Sequence, residues 1–326
     1  MYSFLDKNQK IAVIGSGYWG TIIINNLLNL KFKNITIYDT SVKNLLIIKK
    51  KFKIIKIEKD FSKILNDNNI KNTFIATPPS QNFNIVKKLI LFNKNIFLEK
   101  PGFSKLDHLL KIEEYLAKSK SKLMVGYIYF YNDYVKKIKS ILDKNILGDV
   151  QYMSFSRKNL GPIRNDVDVD YDLTSHDLSI IMMFFNKLPK IISYNKYCLL
   201  KKNISDISNL HLQLNKIKID INNSWLNPTK ERLIKIIGDK KMLLFDEMNL
   251  ENPIQIYNQY AKYPEMDFFN NKFYKSKALI YKGKSRSIKI KSIAPLINEI
   301  KEFFINKKSL TDIKLAKKIL FFLKKI

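Results

Sequence analysis

Ile11-Ala-Val-Ile-Gly-Ser-Gly-Tyr-Trp-Gly20 carries three of the chain's nine glycines, Gly15, Gly17 and Gly20, within six residues and directly after an apolar run. Average usage of about 7% would give roughly 23 glycines in a chain this long. The residue is therefore avoided elsewhere and concentrated here. The spacing is that of a strand-to-helix turn that receives a pyrophosphate. The first glycine permits the tight turn, the second lets main chain approach the anion, and the third lets the helix pack closely on the strand. Free N–H groups from Gly15 through Tyr18, Trp19 and Gly20, together with the dipole at the helix start, would hold the negative charge.

A lone glycine pattern is weak, so its surroundings decide its reading. Ile11–Ile14 is a short β-branched strand, and 18–30 has apolar residues at helical spacing. A second strand, Ile35–Tyr38, ends in Asp39, 19 residues past Gly20. A carboxylate there accepts hydrogen bonds from the adenosine ribose hydroxyls. It opposes a 2′-phosphate, since like charges about 4 Å apart cost on the order of 4 kcal/mol at an effective dielectric of 20. NAD is thus favoured over NADP, with Lys43 nearby as a contrary sign. Asp39 reads equally well as a cap for a helix starting near Val42.

Outward from this turn, strands and helices alternate. Helix is expected near 42–52, strand near 53–56, helix near 61–65, strand over 73–77 before Pro78-Pro79, helix over 81–91, strand over 95–98, helix over 105–118 and a sixth strand over 123–129. Such alternation implies a doubly wound parallel sheet with right-handed crossovers. Past residue 124, β-branched and aromatic runs crowd together at 150–156, 190–199, 211–221, 233–245 and 278–290, with a hairpin at Gly238-Asp-Lys-Lys241. Helices are expected over 134–142, 176–185, 296–305 and 311–325. The fold class is therefore α/β plus α+β: a Rossmann domain over 1–123, and over 124–326 a mostly antiparallel open sheet for substrate binding and oligomerisation.

The formal net charge is +29, from 58 basic and 29 acidic residues. Charge of this kind suggests nucleic acid or an anionic membrane as partner. The basic residues, however, are almost all lysines scattered along every element, and only Arg157, Arg164, Arg232 and Arg286 are arginine. Scattered lysines on solvated faces fit the pattern better than a polyanion-binding surface. The single Cys198 cannot close an internal disulfide, the N-terminal residues lack an apolar signal core, and no uncharged apolar run approaches a membrane span. A soluble, cytoplasmic protein is expected, with no nucleic-acid partner, no membrane partner and no metal.

Two segments combine ionisable groups at informative places. Glu99-Lys100-Pro101 follows a parallel strand, at the end where ligands bind in open α/β sheets. Asp172-Leu-Thr-Ser-His176 enters a helix, and a spacing of four puts Asp172 and His176 on one side of it. Oxidation of a secondary alcohol needs a base for the hydroxyl proton and a cation near the developing alkoxide. His176, in the first helical turn beside Asp172, fits the base, and Lys100 fits the cation. The competing reading is a helix-cap aspartate, a structural histidine and a loop Lys-Pro. His108 and His211 read as structural residues, and Trp225 as core.

With the glycine turn, Ala76-Thr-Pro-Pro79, Glu99-Lys-Pro101 and Asp172-xxx-His176 in this order, the chain resembles the Gfo/Idh/MocA oxidoreductases. That resemblance implies Lys100, Asp172 and His176 as the catalytic group, and Thr77, Pro78, Pro79 and Glu99 beside the cofactor. It also implies dimers or tetramers formed through the second domain's open sheet. Asn82 stands where many relatives carry histidine. Asn159-Leu-Gly-Pro-Ile-Arg-Asn-Asp166, Ser224-Trp-Leu-Asn-Pro-Thr-Lys-Glu-Arg232 and Gly238-Asp-Lys-Lys-Met-Leu are similar to the branch acting on UDP-linked sugars in surface polysaccharide biosynthesis. Arg157, Arg164 and Arg232 lie at or beside these segments as candidate contacts to an anionic sugar nucleotide, with structural ion pairs as the alternative. Competing functions are an NAD-recycling glycosidase that oxidises, eliminates and re-reduces, and a cofactor-binding protein without turnover.

Overall fold

The computed structural model describes residues 5–262, 278–306 and 309–326. Two compact units emerge, Met1–Asn132 with Ile293–Ile326, and Asp133–Ser292.

In the first unit, β1 (Lys10–Ile14), α1 (Tyr18–Asn29), β2 (Asn34–Tyr38), α2 (Val42–Lys51), β3 (Lys56–Glu58), α3 (Phe61–Asn66), β4 (Ile70–Ile75), α4 (Pro79–Leu91), β5 (Asn95–Glu99), α5 (Leu106–Ala117) and β6 (Leu123–Gly126) alternate as expected. The six strands are all parallel in the order β3-β2-β1-β4-β5-β6. The chain reverses its direction of sheet growth between β1 and β4, and a crevice at such a switch point receives a dinucleotide. Boundaries differ from the sequence reading at three strands, the fourth lying at Ile70–Ile75 in place of 73–77. The third strand lies at 56–58, and the sixth stops at Gly126, where Ile128–Tyr131 turn into a 3₁₀ segment.

Ile23, Ile24 and Leu27 of α1 and Leu45 and Ile48 of α2 share one buried cluster with Val13, Ile37, Phe74 and Phe97 of the sheet. On another part of the sheet, Ile64 of α3 packs with Ala12 and Ile70. The first cluster also includes Leu296, Ile300 and Phe303 of α8 (Pro295–Ile305). Helix α9 (Ile313–Leu323) is tied to α5 by Lys317–Glu113 at 2.6 Å, and Thr311 O accepts from Val125 N at 2.7 Å. The sequence reading places these last helices after residue 124 in a second domain. They belong instead to the first unit, because their apolar faces complete its core. Burying each such large side chain contributes about 1.5–3 kcal/mol.

The second unit contains α6 (Asp133–Asp143), β7 (Val150–Leu160), α7 (Ser175–Phe185), β8 (Lys190–Tyr197), β9 (Ile207–Leu214), β10 (Ile217–Ser224), β11 (Leu226–Gly238), β12 (Met242–Asp246), β13 (Ile254–Tyr257), β14 (Gln259–Lys262), β15 (Leu279–Lys282) and β16 (Arg286–Ile288). Eight strands form one sheet in the order β16-β13-β12-β11-β7-β10-β9-β8. All its pairings are antiparallel except β10 with β7. The hairpin at 238–241 joins β11 to β12 as expected, Gly238 N donating to Lys241 O at 2.9 Å. The run read as one strand over 211–221 is two, folded back at Asn215, whose φ of +53° closes the turn. Asparagine tolerates this left-handed conformation better than most residues. Strands β13 and β14 escaped the sequence reading.

Among the described residues, no helix is long and apolar enough to cross a membrane.

Candidate functional site

The glycine turn is built as its spacing demands. Gly15 has φ +96°, and a Cβ there would stand 2.6 Å from Ala76 O. At Gly20 a Cβ would stand 1.9 Å from Gly15 O, so only glycine lets α1 approach β1 this closely. Gly17 differs, since a Cβ there would meet nothing within 4 Å. That open space lies at the N-cap of α1, which has no side-chain cap, and Tyr18 and Trp19 beside it are exposed. An uncapped helix start facing an open cradle fits the pyrophosphate of a dinucleotide.

Asp39 follows β2, its Oδ2 accepting from Ser16 N and Ser16 Oγ, both at 2.7 Å, and its Oδ1 from Ser41 N at 2.8 Å. The cap of α2 is Ser41, whose Oγ accepts from Asn44 N at 3.3 Å. Asp39 therefore does not act as the N-cap, and instead ties the second strand's end to the glycine turn. Each carboxylate oxygen has more than one lone pair, so ribose hydroxyls can share it.

Pro78 caps α4 and Pro79 is its first residue, a position where a missing N–H costs nothing. Thr77 Oγ1 donates to Asn82 Oδ1 at 2.6 Å, and Asn82 Nδ2 donates to Gly102 O at 2.6 Å. Asn82 is 1% exposed. Asn82 thus clamps the loop after β4 to the loop after β5, a role its sequence position did not reveal. Glu99 ends β5 with its side chain over Gly126, where a Cβ would lie 3.3 Å from Oε2. Desolvation raises the Glu99 carboxyl to about 7, against the pull of the Lys100 ammonium and a hydrogen bond from the Lys100 backbone. Lys100 follows, half-buried, with a cis bond to Pro101.

In the second unit, Asp172 lies in a π-helical turn, Asp170–Thr174, that runs directly into α7. The backbone is already helical at Val169. His176 is therefore not in the first turn of the helical stretch, where the sequence reading put it. Asp172 Oδ2 accepts from Trp225 Nε1 at 3.2 Å, and its Oδ1 lies 3.9 Å from Arg164 Nη1. Trp225 is fully buried, as its core reading requires, yet it also orients a carboxylate. Beneath the turn, Asp170 accepts from Thr174 Oγ1 and Ser208 Oγ, each at 2.7 Å, and faces Lys196 Nζ at 3.2 Å. Lys196 also meets Asp168 at 3.0 Å. Burial pushes the Asp170 carboxyl up, and Lys196 opposes that.

The three candidate arginines are held in different ways. Arg157 is 3% exposed and its Nε donates to Asp177 Oδ1 at 2.5 Å, a buried ion pair on the residue after His176. Arg232 donates to Lys158 O, Glu231 O and Asn159 Oδ1, at 3.0, 2.7 and 2.5 Å. These two guanidinium groups are engaged inside the unit, Arg157 in a structural ion pair and Arg232 in hydrogen bonds to carbonyl and amide oxygens. Arg164 grips Asp166 through Nε and Nη2, at 2.9 and 2.6 Å, and holds that carboxyl below the usual range. His108 stacks on Phe83 with ring centroids 4.5 Å apart. On the sheet, His211 Nδ1 meets Asp220 Oδ1 at 2.8 Å. Among the described residues, no group of three or more His, Cys, Asp or Glu side chains is arranged to hold a metal ion.

Residues 9–127 match the family described as "Oxidoreductase family, NAD-binding Rossmann fold" (Gfo/Idh/MocA). The uncharacterized oxidoreductase YrbE of Bacillus subtilis (strain 168) is 24% identical over 182 residues, covering 54% of this chain and 53% of that protein. The chain thus aligns with about half the length of this curated relative. Among solved structures, UDP-N-acetylglucosamine 3-dehydrogenase GnnA from Acidithiobacillus ferrooxidans superposes with a TM-score of 0.76 at 15% identity, covering 97% of this chain and 96% of that one. The WlbA dehydrogenase from Bordetella pertussis, in complex with NADH and UDP-GlcNAcA, gives 0.67 at 15% identity, with 74% of each chain covered. At these identities the likeness is one of fold. Residues 9–127, which hold the glycine turn and all six parallel strands, are thus the part of this chain that matches the NAD-binding Rossmann fold of the Gfo/Idh/MocA oxidoreductases.

Proposed function

We propose that the protein is an NAD-dependent dehydrogenase that oxidises a ring hydroxyl of a sugar, the sugar being nucleotide-activated and destined for surface polysaccharide. The observation that carries this reading is Lys100, held at the carboxyl end of β5, one strand from the β1/β4 switch point that receives the dinucleotide. The names of GnnA and WlbA support the substrate class. Bound NAD supplies the acceptor for the carbinol hydride.

His176 takes the hydroxyl proton on a ring nitrogen. Lys100 Nζ donates to the carbinol oxygen and stabilises the charge that develops there. Asp172, fixed by Trp225 and Arg164, is the carboxylate that selects the imidazole tautomer. Arg164 remains the candidate for an anionic substrate group, while Arg157 and Arg232 act as scaffold. Asp39 selects NAD over NADP. The assembly is a homodimer or homotetramer through the outer face of the eight-stranded sheet. Tyr152, Ile237, Met242 and Tyr257 form one row there across β7, β11, β12 and β13.

The test is NADH absorbance on incubating purified protein with NAD and a panel of UDP-sugars. His176→Ala lowers turnover by about 10²-fold or more. Full turnover in that variant defeats the assignment. Free sugar released without NADH gives the glycosidase reading, and cofactor binding with no turnover gives the non-catalytic one.

A further inference from the structure

The helical stretch that carries Asp172 and His176 is held by one cross-strand row of the eight-stranded sheet. Lys196 of β8 is the register partner of Ser208 of β9, Ser208 that of Asn223 of β10, and Asn223 that of Arg157 of β7. Each of these four side chains takes hold of the stretch in turn. Lys196 Nζ meets Asp168 Oδ2 at 3.0 Å and Asp170 Oδ2 at 3.2 Å. Ser208 Oγ donates to Asp170 Oδ1 at 2.7 Å, the Asn223 side-chain amide lies 2.7 Å from Thr174 Oγ1, and Arg157 Nε donates to Asp177 Oδ1 at 2.5 Å. Ser208, Asn223 and Arg157 are buried, and so are Asp170, Thr174 and Asp177.

Row and stretch match in length. Neighbouring strands stand about 4.8 Å apart, so the row from Lys196 to Arg157 spans about 14 Å. A helical rise of about 1.5 Å per residue carries the chain about 13 Å from Asp168 to Asp177. The stretch therefore lies across the strands, and each strand has its own residue to hold. Asp170, Thr174 and Asp177, four and three residues apart, share one helix face. Asp172 and His176, each two residues past a held neighbour, lie about 200° round the axis, on the face turned from the sheet. A slip of one residue against the row would turn both side chains through about 100°. Asp172 Oδ2 would then leave Trp225 Nε1, which donates to it at 3.2 Å. The π turn is most exposed to such a slip, because turns of this kind are rare and occur singly. It opens at Asp170, whose carboxylate takes Lys196, Ser208 and Thr174.

We infer that Lys196, Ser208 and Asn223 are positioning residues, which together with the Arg157–Asp177 pair set the rotation of this stretch and so fix the direction in which Asp172 and His176 point. Lys196 ends the row on the edge strand, and its ammonium ties down the two aspartates that precede Asp172. The inference rests on the reading of Asp172 and His176 as catalytic.

The experiment is NMR of the cofactor-free full chain labelled with ¹⁵N-tryptophan. Its two tryptophans are Trp19 and Trp225, and Trp225→Phe assigns their indole resonances. Lys196→Met is expected to move the Trp225 indole proton upfield, toward its position in Asp172→Ala, with Trp19 unmoved. Ser208→Ala moves it the same way without removing a charge. Lys196→Arg, which keeps a cation on both carboxylates, leaves it near its wild-type position. In turnover with NAD and the UDP-sugar active in the panel, Lys196→Met lowers kcat about 10- to 100-fold, as for a misplacement of about 1 Å, with KM for NAD unchanged. Lys196→Arg restores most of that loss. A wild-type indole resonance in both Lys196→Met and Ser208→Ala overturns the inference, as does a fall in kcat that Lys196→Arg fails to restore. If the resonance moves as expected while His176→Ala keeps full turnover, the reading of His176 fails and the row still sets the rotation of the stretch.

Discussion

Gly17→Ala and Gly20→Ala differ by a methyl group three residues apart, and the structure assigns them opposite consequences. At Gly20 the new Cβ would lie 1.9 Å from Gly15 O, whereas side-chain Cβ atoms stay beyond 3.0 Å, so main chain must move by about 1 Å. Gly15 cannot yield easily: its N donates to Tyr38 O at 2.9 Å, and Ala76 O lies just beyond it. Overpacking of this kind costs about 3 kcal/mol, and the better helix propensity of alanine returns about 1, leaving a net loss of about 2 kcal/mol. At Gly17 the methyl group meets open space, and φ −70° with ψ −162° suits alanine, so the loss is under about 1 kcal/mol, from the weaker N-cap. That methyl group instead enters the space proposed for the pyrophosphate and weakens NAD at least about tenfold, equivalent to 1.4 kcal/mol. Urea unfolding and NAD titration by calorimetry separate the two effects. A Gly17→Ala protein that binds NAD like wild type, or a Gly20→Ala protein as stable as wild type, refutes the reasoning.

Four further outcomes follow from the geometry. Arg157→Met strands Asp177 in the core and costs about 3–5 kcal/mol in urea unfolding, most of which Arg157→Met with Asp177→Leu recovers; equal loss in single and double variants contradicts the pair. Because the folded-state Glu99 carboxyl is raised to about 7, its contribution to stability is complete below about pH 4.5 and is lost as pH climbs through 7, by on the order of 2–3 kcal/mol. Glu99→Gln therefore flattens the fall in Tm between about pH 5 and 8, and an unchanged slope tells against the raised value. Asp39→Ser improves NADP relative to NAD by about tenfold or more in competitive binding, since up to about 4 kcal/mol of repulsion is removed; an unaltered ratio places the selectivity elsewhere. Trp225→Phe removes the Nε1 donor to Asp172 and lowers kcat about tenfold with NAD affinity intact, whereas unchanged kcat frees the carboxylate from that role.

What could be read from the sequence was what local chemistry dictates. The glycine turn needs particular residues at particular spacings, so Gly15, Gly17 and Gly20 identify themselves, and the alternation that follows gives the parallel sheet. Gly238 marked its hairpin for the same reason. Asn215 made an equivalent turn with only one permissive residue, and two strands were merged into one. Long-range returns left no local trace. The apolar spacing of 296–305 predicts a helix but says nothing about which sheet it covers, so the last two helices were assigned to the wrong half. The π turn before α7 is invisible for a similar reason: it depends on Asp170 gripping Ser208 and Lys196, which are distant in sequence. Arginine scarcity drew attention to Arg157 and Arg232, but a guanidinium chosen for a buried carboxylate looks the same in sequence as one chosen for phosphate.

The return of α8 and α9 to the first sheet has a consequence for biosynthesis. Ribosomes release the amino-terminal strands early, but the aromatic surface of Phe74 and Phe97 that Phe303 covers stays open until Asp133–Ser292 has been translated. At 5–20 residues per second that delay is roughly ten to thirty seconds. During that interval the nascent nucleotide-binding half is a client for chaperones, and a frameshift or premature stop late in the reading frame would harm this half first.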